Sequence, residues 1–366
     1  MNGPTFPVLS PEHLERMLEP PTGPIRLIID TDAANEIDDQ FAIAWALLSQ
    51  DIFEIEGTLI EPFSFAHHRE PLLAAYDELQ RHDTGDDGPV VEAIVGSYRR
   101  WAQNLVDAGT DPRDVAFVLP DEGMELSYHE ARKVYELLGL DPEGKVFRGS
   151  AGYLPGPDQP LRSESAEVLI ERAMADDDRP LYVAAIGAVT NIASAILIEP
   201  RIIERIVVVW TSSYPSWSPL SSRPSLNLIQ DLPASRLLFD CGVPLVYLPG
   251  FYIGEQLSIS LPEMERWVKD RGRIGDYLHH LYTHNPIHAQ RGIADREHRT
   301  WVIWDLICFA WLMQPTWVPS RLTSSPVLDE DLLWQHPPGR HLIREAVGMD
   351  RDEVFRDFYR KLEGAP

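Results

Sequence analysis

Residues 25–46 read IRLIIDTDAANEIDDQFAIAWA. The apolar run Leu27–Ile29 predicts a buried β-strand, and the apolar spacing after Phe41 predicts a helix over about residues 38–49. Four carboxylates lie between the two elements, at Asp30, Asp32, Asp38 and Asp39. Isolated ionised carboxylates are costly to bury, so the cluster needs a compensating charge. A hard divalent cation, which takes oxygen ligands, is the obvious candidate.

Strands and helices alternate along most of the chain. Further strands are predicted near 53–60, 181–186, 206–210 and 245–248. Residues 90–95 are either a strand or the start of a helix. Further helices are predicted near 70–81, 130–138, 163–175, 191–198, 234–240, 262–269, 273–283, 302–313 and 351–362, with 107–125 as loop. The alternation predicts an α/β fold with a mostly parallel central sheet flanked by helices, and a Rossmann-like core. We expect residues 1–24 to form an N-terminal arm and residues 25–366 one large domain.

Composition excludes some classes of partner. The chain has 57 acidic and 32 basic residues, a formal net charge of −25. This balance argues against binding to nucleic acid or an anionic membrane, since both need a positive surface. No apolar stretch is long enough for a signal peptide or membrane span, and the two cysteines, in apolar contexts, are not expected to form a disulfide. A soluble cytoplasmic protein is the simplest interpretation.

A Pro/Ser-rich stretch, residues 212–225, directly follows a predicted strand. Ligands of parallel α/β sheets bind outside the carboxyl ends of the strands. We therefore interpret this stretch as an active-site loop rather than as a linker between domains.

Four sequence blocks, in order, carry a resemblance to a known family. They are Ile28–Asp32 followed by Asp38-Asp39, then Ala188–Ala193, then Leu226-Asn227 with Asp231, and finally Trp304-Asp305. Together they resemble the signature blocks of the nucleoside hydrolases, the inosine-uridine-preferring N-ribohydrolases. The blocks span most of the chain, from residue 25 to about residue 320.

The resemblance implies a nucleoside hydrolase-like fold and a Ca²⁺ site. Asp32, Asp39 and Asp305 would supply carboxylate ligands and Thr190 its backbone carbonyl. Asp30 would lie behind them and orient loop amides and water.

The resemblance also implies the catalytic roles. Asp38 would contact the 2′-hydroxyl and accept the proton of the attacking water, and Asn227 would hold the ring hydroxyls. The products would be free base and ribose, as in nucleoside salvage, and a homodimer or homotetramer is expected. The chemistry agrees with this, because cleavage of an N-glycosidic bond puts positive charge on the sugar, which carboxylates stabilise.

The chain departs from the family pattern at the turn after the first strand. Five residues separate Asp32 from Asp38 where the common motif has three, which adds Asn35 and Glu36. Either one of them touches the metal's water or the substrate, or both only cap and charge the start of the helix.

A second departure concerns the substrate pocket. Ser225 occupies the position of a family glutamate that recognises the ribose 5′-hydroxyl, and Pro219 lies near that of a second such residue. Either the 5′ pocket is altered, so that the substrate carries a different 5′ group, or the loop is misaligned.

Trp304 stands where many members have a histidine that protonates the leaving base. Tryptophan cannot act as that acid but can stack on a base, as can Trp210. Alternatively, Trp210 and Trp304 complete the core or an oligomer interface. His284, His288 and Arg291 are candidates for a replacement acid, with His288 placed in the substrate site; solvent is the alternative.

Two other functions remain open from the sequence. A metal-dependent phosphohydrolase also uses Asp-x-Asp after its first strand, but such an enzyme leaves the Asp38-Asp39 pair and the Thr190-Asn191 block unexplained. A non-enzymatic nucleoside- or sugar-binding protein on the same fold is the other alternative, against which the complete set of Asp32, Asp39 and Asp305 argues.

Overall fold

The computed structural model describes residues 5–81, 90–92, 96–294 and 299–366. Within them, eight strands form the central sheet: β1 Ile25–Thr31, β2 Phe53–Ile60, β3 Val146–Phe147, β4 Leu181–Ala185, β5 Ile206–Ser212, β6 Leu245–Pro249, β7 Ser320–Ser324 and β8 Leu342–Ala346. The spatial order is β7-β8-β6-β5-β4-β1-β2-β3. Every neighbouring pair is parallel except β7 and β8. Parallel pairing brings the carboxyl ends of β1, β2, β4, β5 and β6 to one edge.

Helices cover both faces of this sheet. They are α1 Pro11–Met17, α2 Asp38–Leu47, α3 Arg69–Gln80, α4 Tyr98–Asp107, α5 Pro120–Leu137, α6 Glu164–Ala173, α7 Thr190–Ile198, α8 Leu226–Ile229, α9 Leu232–Asp240, α10 Leu261–Glu263, α11 Gly272–Thr283, α12 Pro286–Gln290, α13 Leu306–Met313 and α14 Arg351–Glu363. The predicted α/β architecture with a mostly parallel sheet is confirmed. In the described part of the chain, no helix has the length and apolar character needed to cross a bilayer.

The described residues also form short two-stranded sheets that are separate from the central sheet. They pair Val90–Glu92 with Gly96–Ser97, Ser258–Ser260 with Thr300–Val302, and Val327–Leu328 with Trp334–Gln335. Of residues 90–95, which the sequence predicts as a strand or a helix start, Val90–Glu92 form a strand. Residues 93–95 lie outside the described residues.

The alternation of side chains along each strand divides the core into two layers. In β1, Leu27 and Ile29 join a cluster with α2, α5, α13 and α14, whereas Ile28 joins a cluster with α6, α7 and α9. A strand buried on both faces reads as a continuous apolar run, which is why Leu27–Ile29 was recognisable in the sequence.

Helix α2 is buried along its whole length and is supported by α13 and α14. The rings of Phe41 and Phe358 lie 5.9 Å apart, and the edge of Trp45 meets Phe358 at 6.3 Å. The indole N–H of Trp45 also donates a hydrogen bond of 3.0 Å to the Asp357 carboxylate, across a separation of 312 residues. Helix α14 thus fixes the position of the helix that begins with Asp38 and Asp39.

The predicted N-terminal arm contains the short helix α1, which packs on the domain. Ser10 caps this helix by accepting a hydrogen bond from the His13 amide. Leu14 and Leu18 are buried in the same cluster as α2. The Arg344 guanidinium in β8 donates a 2.5 Å hydrogen bond to the Leu18 carbonyl, so residues 11–18 are held by both apolar and polar contacts.

The structure differs from the sequence prediction between residues 98 and 130. Helix α4 was not predicted, and α5 begins at Pro120, about ten residues before the predicted start. The helix start has ordinary signals, with Pro120 in its first turn and the Glu122 carboxylate accepting a hydrogen bond from the Leu119 amide. Gly123 weakened the helical pattern, but a Cβ there would lie 2.2 Å from the Phe63 carbonyl oxygen, so the close packing excludes other residues.

Candidate active site

The carboxyl edge of the sheet opens into a cavity with about 630 Å³ of space between atoms, part of which is open to solvent. Its walls come from the turn after β1, the ends of β4, β5 and β6, the start of α8, and the residues before α13. The lining residues are Asn35, Glu36, Asp38, Asp39, Ile186, Thr211, Ser212, Ser213, Pro224, Ser225, Leu226, Asn227, Gly250, Phe251, Trp304 and Asp305. The predicted active-site loop therefore contributes four of its residues to the cavity, at both of its ends.

Three carboxylates form the acidic end of this cavity. Asp38, Asp39 and Asp305 each place an oxygen within 4.8 Å of the others, and all three side chains are buried. Asp39 accepts a short hydrogen bond from the Thr31 hydroxyl at the end of β1. One oxygen of Asp305 has no hydrogen-bond partner. The cluster joins residues 266 positions apart in the chain, whereas the metal ligands that the resemblance implied include Asp32 and not Asp38.

Asp32 lies directly beside this cluster. One of its oxygens accepts hydrogen bonds from the side-chain amides of Asn35 at 2.7 Å and Gln230 at 3.4 Å, and the other has no partner. Gly187, after β4, approaches the carboxylate so closely that a Cβ would lie 2.8 Å from its oxygen. Asn35, one of the additional residues of the longer turn, thus orients Asp32 and also lines the cavity.

Burial raises the pKa of every carboxyl group in this set. The pKa of Asp39 rises to about 7, and the pKa values of Asp32, Asp38 and Asp305 rise well above the usual range, because burial is reinforced by the negative charge of neighbouring aspartates. Such a concentration of buried, incompletely paired oxygens fits a divalent cation, which would remove the electrostatic cost of ionising them.

A second layer of polar contacts lies behind the aspartates. Asn191, in the first turn of α7, donates its side-chain amide to Asp30 at 3.1 Å and to the Ile60 carbonyl at 2.9 Å. Its backbone N–H donates to Glu61 at 2.7 Å. The preceding Thr190 donates its hydroxyl to Asp231 at 2.8 Å. These contacts tie the Thr190-Asn191 block to the ends of β1 and β2.

Glu61 is a buried residue that the sequence analysis missed. Its carboxyl group lies beside that of Asp30, and Asn191 donates a hydrogen bond to each of them. Burial and the neighbouring Asp30 raise the pKa of Glu61 well above its usual range, and burial raises the pKa of Asp30 to about 7. Its position directly after β2, at the same edge as Asp30, was the available signal.

Asn227 and Ser225 lie on the wall formed by α8. The side-chain N–H groups of Asn227 donate to the carbonyls of Ile186 and Thr211, at 3.2 Å each, so its amide oxygen remains available as an acceptor. The Ser225 hydroxyl accepts a 2.9 Å hydrogen bond from the Ser213 amide and lies 3.1 Å from the Ser212 hydroxyl. Trp304 also lines the cavity, with its ring edge-on to Phe251 at 5.7 Å.

Two residues assigned to the substrate site are not brought to the cavity. Trp210 is fully buried, donates its indole N–H to the Gly187 carbonyl at 3.1 Å, and packs against Phe239 and Tyr247. Its side chain lies on the same face of β5 as Val208, in the cluster with α7 and α9. His288, in α12, is buried edge-on against Trp301 at 5.2 Å.

The other candidate acids also lie elsewhere. His284 is stacked on His280 at 4.3 Å on α11, and the Arg291 guanidinium lies 3.6 Å over the Trp101 ring. Among the described residues that line the cavity, none is basic.

Comparison with known proteins identifies what this arrangement resembles. A family model described as inosine-uridine preferring nucleoside hydrolase matches residues 27–356. No curated protein sequence matches the chain.

Solved structures show the same fold at low sequence identity. A purine-preferring ribonucleoside hydrolase from Gardnerella vaginalis is 18% identical, with 93% of this chain and 98% of that chain covered and a TM-score of 0.60. A plant nucleoside hydrolase is 17% identical, with 94% and 100% covered and a TM-score of 0.61. An inosine-uridine preferring nucleoside hydrolase from Bacillus anthracis is 13% identical, with 93% and 99% covered and a TM-score of 0.57.

Proposed function

Because the chain belongs to the inosine-uridine preferring nucleoside hydrolase family and is therefore an N-glycosyl hydrolase, we propose that it hydrolyses the N-glycosidic bond of a ribonucleoside or modified riboside with the help of Ca²⁺, releasing free base and ribose. The observation that carries this proposal is the cluster of Asp38, Asp39 and Asp305 in the same cavity as Asn227. A phosphohydrolase is disfavoured, because the described lining offers no basic group to a phosphate.

The residues that would hold the ion are Asp32, Asp39, Asp305 and the backbone carbonyl of Thr190. Partnerless buried oxygens on Asp32 and Asp305 support this assignment. An all-oxygen donor set with several carboxylates suits Ca²⁺. When bound, the ion supplies positive charge that makes a water at the site more acidic. Asn35 orients the Asp32 carboxylate through its 2.7 Å hydrogen bond, and Asp30 keeps its position through Asn191.

Asp38 is the proposed general base. Its carboxylate lines the cavity beside Asp39 and Asp305 but is the member of the cluster that the resemblance leaves free of the metal. We assign it to contact the 2′-hydroxyl and to accept the proton of the attacking water. As the glycosidic bond breaks, positive charge develops on the sugar ring, and the surrounding carboxylates stabilise this charge.

Asn227 positions the sugar. Both of its N–H groups donate to backbone carbonyls, so its free oxygen can accept a hydrogen bond from a ring hydroxyl of the sugar. Trp304 offers a flat apolar face on which the base can stack. Since the candidate histidines and Arg291 lie outside the cavity lining, the departing base takes its proton from solvent.

Base release from a panel of ribonucleosides, measured with the purified protein in Ca²⁺ and in excess chelator, tests the proposal. We expect turnover in Ca²⁺ that is lost in chelator. We also expect at least a 10³-fold loss of kcat/KM in Asp39→Ala, because the substitution removes a ligand and leaves its neighbours unpaired. Asp178→Ala, which changes an exposed carboxylate at the opposite edge of the sheet, is the matched control. Full turnover by Asp39→Ala in excess chelator would disprove the metal assignment.

A further inference from the structure

The cavity has two chemically different ends. The acidic end holds Asp38, Asp39 and Asp305. The other end is uncharged and is built from the end of β5, the start of α8, the turn after β6 and the residue before Asp305. Its residues are Ser212, Ser213, Ser225, Gly250, Phe251 and Trp304.

The hydroxyl groups of the uncharged end are mostly committed to one another. Ser225 accepts a hydrogen bond from the Ser213 amide and is paired with the Ser212 hydroxyl. The Ser213 hydroxyl alone has no hydrogen-bond partner, and that side chain is 2% exposed, in a residue whose φ is +32°. This end therefore presents one uncommitted neutral hydroxyl and no charged acceptor.

A row of aromatic rings continues from this end to the protein surface. Trp304 meets Phe251 at 5.7 Å, Phe251 meets Tyr214 at 4.5 Å, and Tyr214 meets Tyr252 at 5.3 Å. Tyr252 is stacked on Trp217 at 5.8 Å, and these last two side chains are 38% and 52% exposed. Such a row offers apolar contact to a substituent that extends outward from the cavity.

We infer that the enzyme accepts ribosides in which the 5′-hydroxyl is replaced by a neutral apolar group, such as 5′-deoxy and 5′-deoxy-5′-alkylthio ribosides. The inference rests on the proposed function, which places the 2′- and 3′-hydroxyls at the acidic end. The base and the 5′ carbon of the ribose then face the uncharged end.

The physical reason lies in how a site discriminates against a missing hydroxyl. A site built to pair with a substrate hydroxyl rejects the analogue without it by about 10⁴-fold or more, because its own polar groups are left unpaired. Ser212 and Ser225 satisfy each other without a ligand, so loss of the 5′-hydroxyl leaves them paired. A 5′-phosphate, in contrast, brings negative charge into a cavity whose described lining has no basic side chain, and the carboxylates at the acidic end oppose its binding.

Steady-state kinetics on one base with five 5′ groups tests the inference. The substrates carry hydroxyl, hydrogen, methylthio, benzylthio and phosphate at the 5′ carbon. We expect the hydrogen and methylthio substrates to have kcat/KM within about tenfold of the hydroxyl parent or above it, and the phosphate to be lower by about 100-fold or more. A 5′-deoxy substrate at least about 100-fold poorer than the parent would overturn the inference while leaving the proposed function intact.

Failure of the proposed function gives a different result. In that case none of the five compounds is hydrolysed, and none raises the thermal midpoint of the Ca²⁺-loaded protein; the inference then falls with the function it rests on. If the 5′-deoxy and methylthio compounds raise the thermal midpoint as much as the parent does, this binding result alone supports the inference.

Two variants and one control variant locate the recognition. Tyr214→Ala should lower kcat/KM for the benzylthio substrate by about threefold to tenfold more than for the methylthio substrate, since it removes a ring from the row. Trp267→Ala, which removes another partly exposed ring that stacks on Tyr359, should leave that ratio unchanged. Ser213→Ala tests the remaining hydroxyl: a loss of about 30-fold or more confined to the 5′-hydroxyl parent would mean that Ser213 recognises this group, against the inference.

Discussion

At the scale of single residues, the site depends on side chains whose hydrogen bonds leave one atom free. Asn227 is the clearest case, because two backbone carbonyls occupy its N–H groups and its oxygen is left as an available acceptor. Ser225 is the opposite case, since its hydroxyl is already used within the protein. The same reasoning separates residues that can recognise a substrate from those that only shape the cavity.

We predict that Asn227→Ala raises KM and lowers kcat, with a loss in kcat/KM of about tenfold to several hundredfold, because the sugar contact tightens at the transition state. Asn227→Asp should not restore activity, since a carboxylate cannot donate to the Ile186 and Thr211 carbonyls. Steady-state kinetics on the best ribonucleoside measures this. An unchanged kcat/KM in Asn227→Ala would remove this residue from the sugar site.

Residues close in sequence were the most predictable part of the site. The 30–39 stretch can be recognised as a site from the sequence alone, because a buried strand followed by four carboxylates has few structural uses. Glu61 was missed because its partners, Asp30 and Asn191, come from other segments, and only the sheet brings them together. Trp210 was assigned to the pocket from its place at a strand end, but strand alternation turns its ring into the core.

At the scale of elements, the loop after β5 is held rigidly by contacts from three neighbouring segments. Buried Glu345 in β8 accepts hydrogen bonds from the Ser216 amide at 2.6 Å and the Ser216 hydroxyl at 2.8 Å. The Tyr247 hydroxyl and the Trp334 indole both donate to the Tyr214 carbonyl, at 2.7 and 3.1 Å. The loop that forms the uncharged wall of the cavity is thus shaped before substrate arrives.

Glu345→Ala should lower the free energy of unfolding by about 1–3 kcal/mol and raise KM more than it changes kcat, because the Ser216 amide loses its buried acceptor. Glu345→Gln keeps one carbonyl acceptor for that amide and should recover most of both properties. Urea unfolding and steady-state kinetics provide the measurements. Equal KM values for the wild type and Glu345→Ala would show that the hydrogen bonds between Ser216 and Glu345 do not shape the cavity.

Elements with a strong apolar pattern were predictable, and those without one were not. The boundaries of β2 agree with the prediction, and α2 differs from it by two residues at its end. Strand β7 was not predicted, because it lies at the edge of the sheet and most of its side chains are exposed or half-buried, so no alternation of apolar residues marks it.

At the scale of the whole molecule, we expect the buried carboxylate cluster to make stability depend on protons and cations together. The pKa values of Asp30 and Asp39 are about 7 instead of 3.8. Between these values the ion-free folded protein holds protons that the unfolded chain has released, so its stability falls as the pH rises. A bound divalent cation takes over the compensating role of the protons.

We therefore predict that the thermal midpoint of the protein in chelator falls between pH 6 and pH 8, and that the increase produced by Ca²⁺ is larger at pH 8 than at pH 6. Differential scanning fluorimetry at both pH values measures this. In Asp39→Asn the increase produced by Ca²⁺ should shrink at both. An increase of the same size at pH 6 and pH 8 in the wild type would contradict this linkage.

The contact between α2 and α14 also bears on the order in which parts of the protein fold during synthesis. Synthesis on the ribosome delivers Asp38 and Asp39 early, but the Phe358 ring and Asp357 carboxylate that support their helix are made more than 300 residues later. Until then α2 has an uncovered apolar side and the aspartates have no fixed spacing. We therefore expect the carboxylate cluster to be among the last parts of the nascent protein to take its fixed spacing, so that a chain lacking α14 should be inactive.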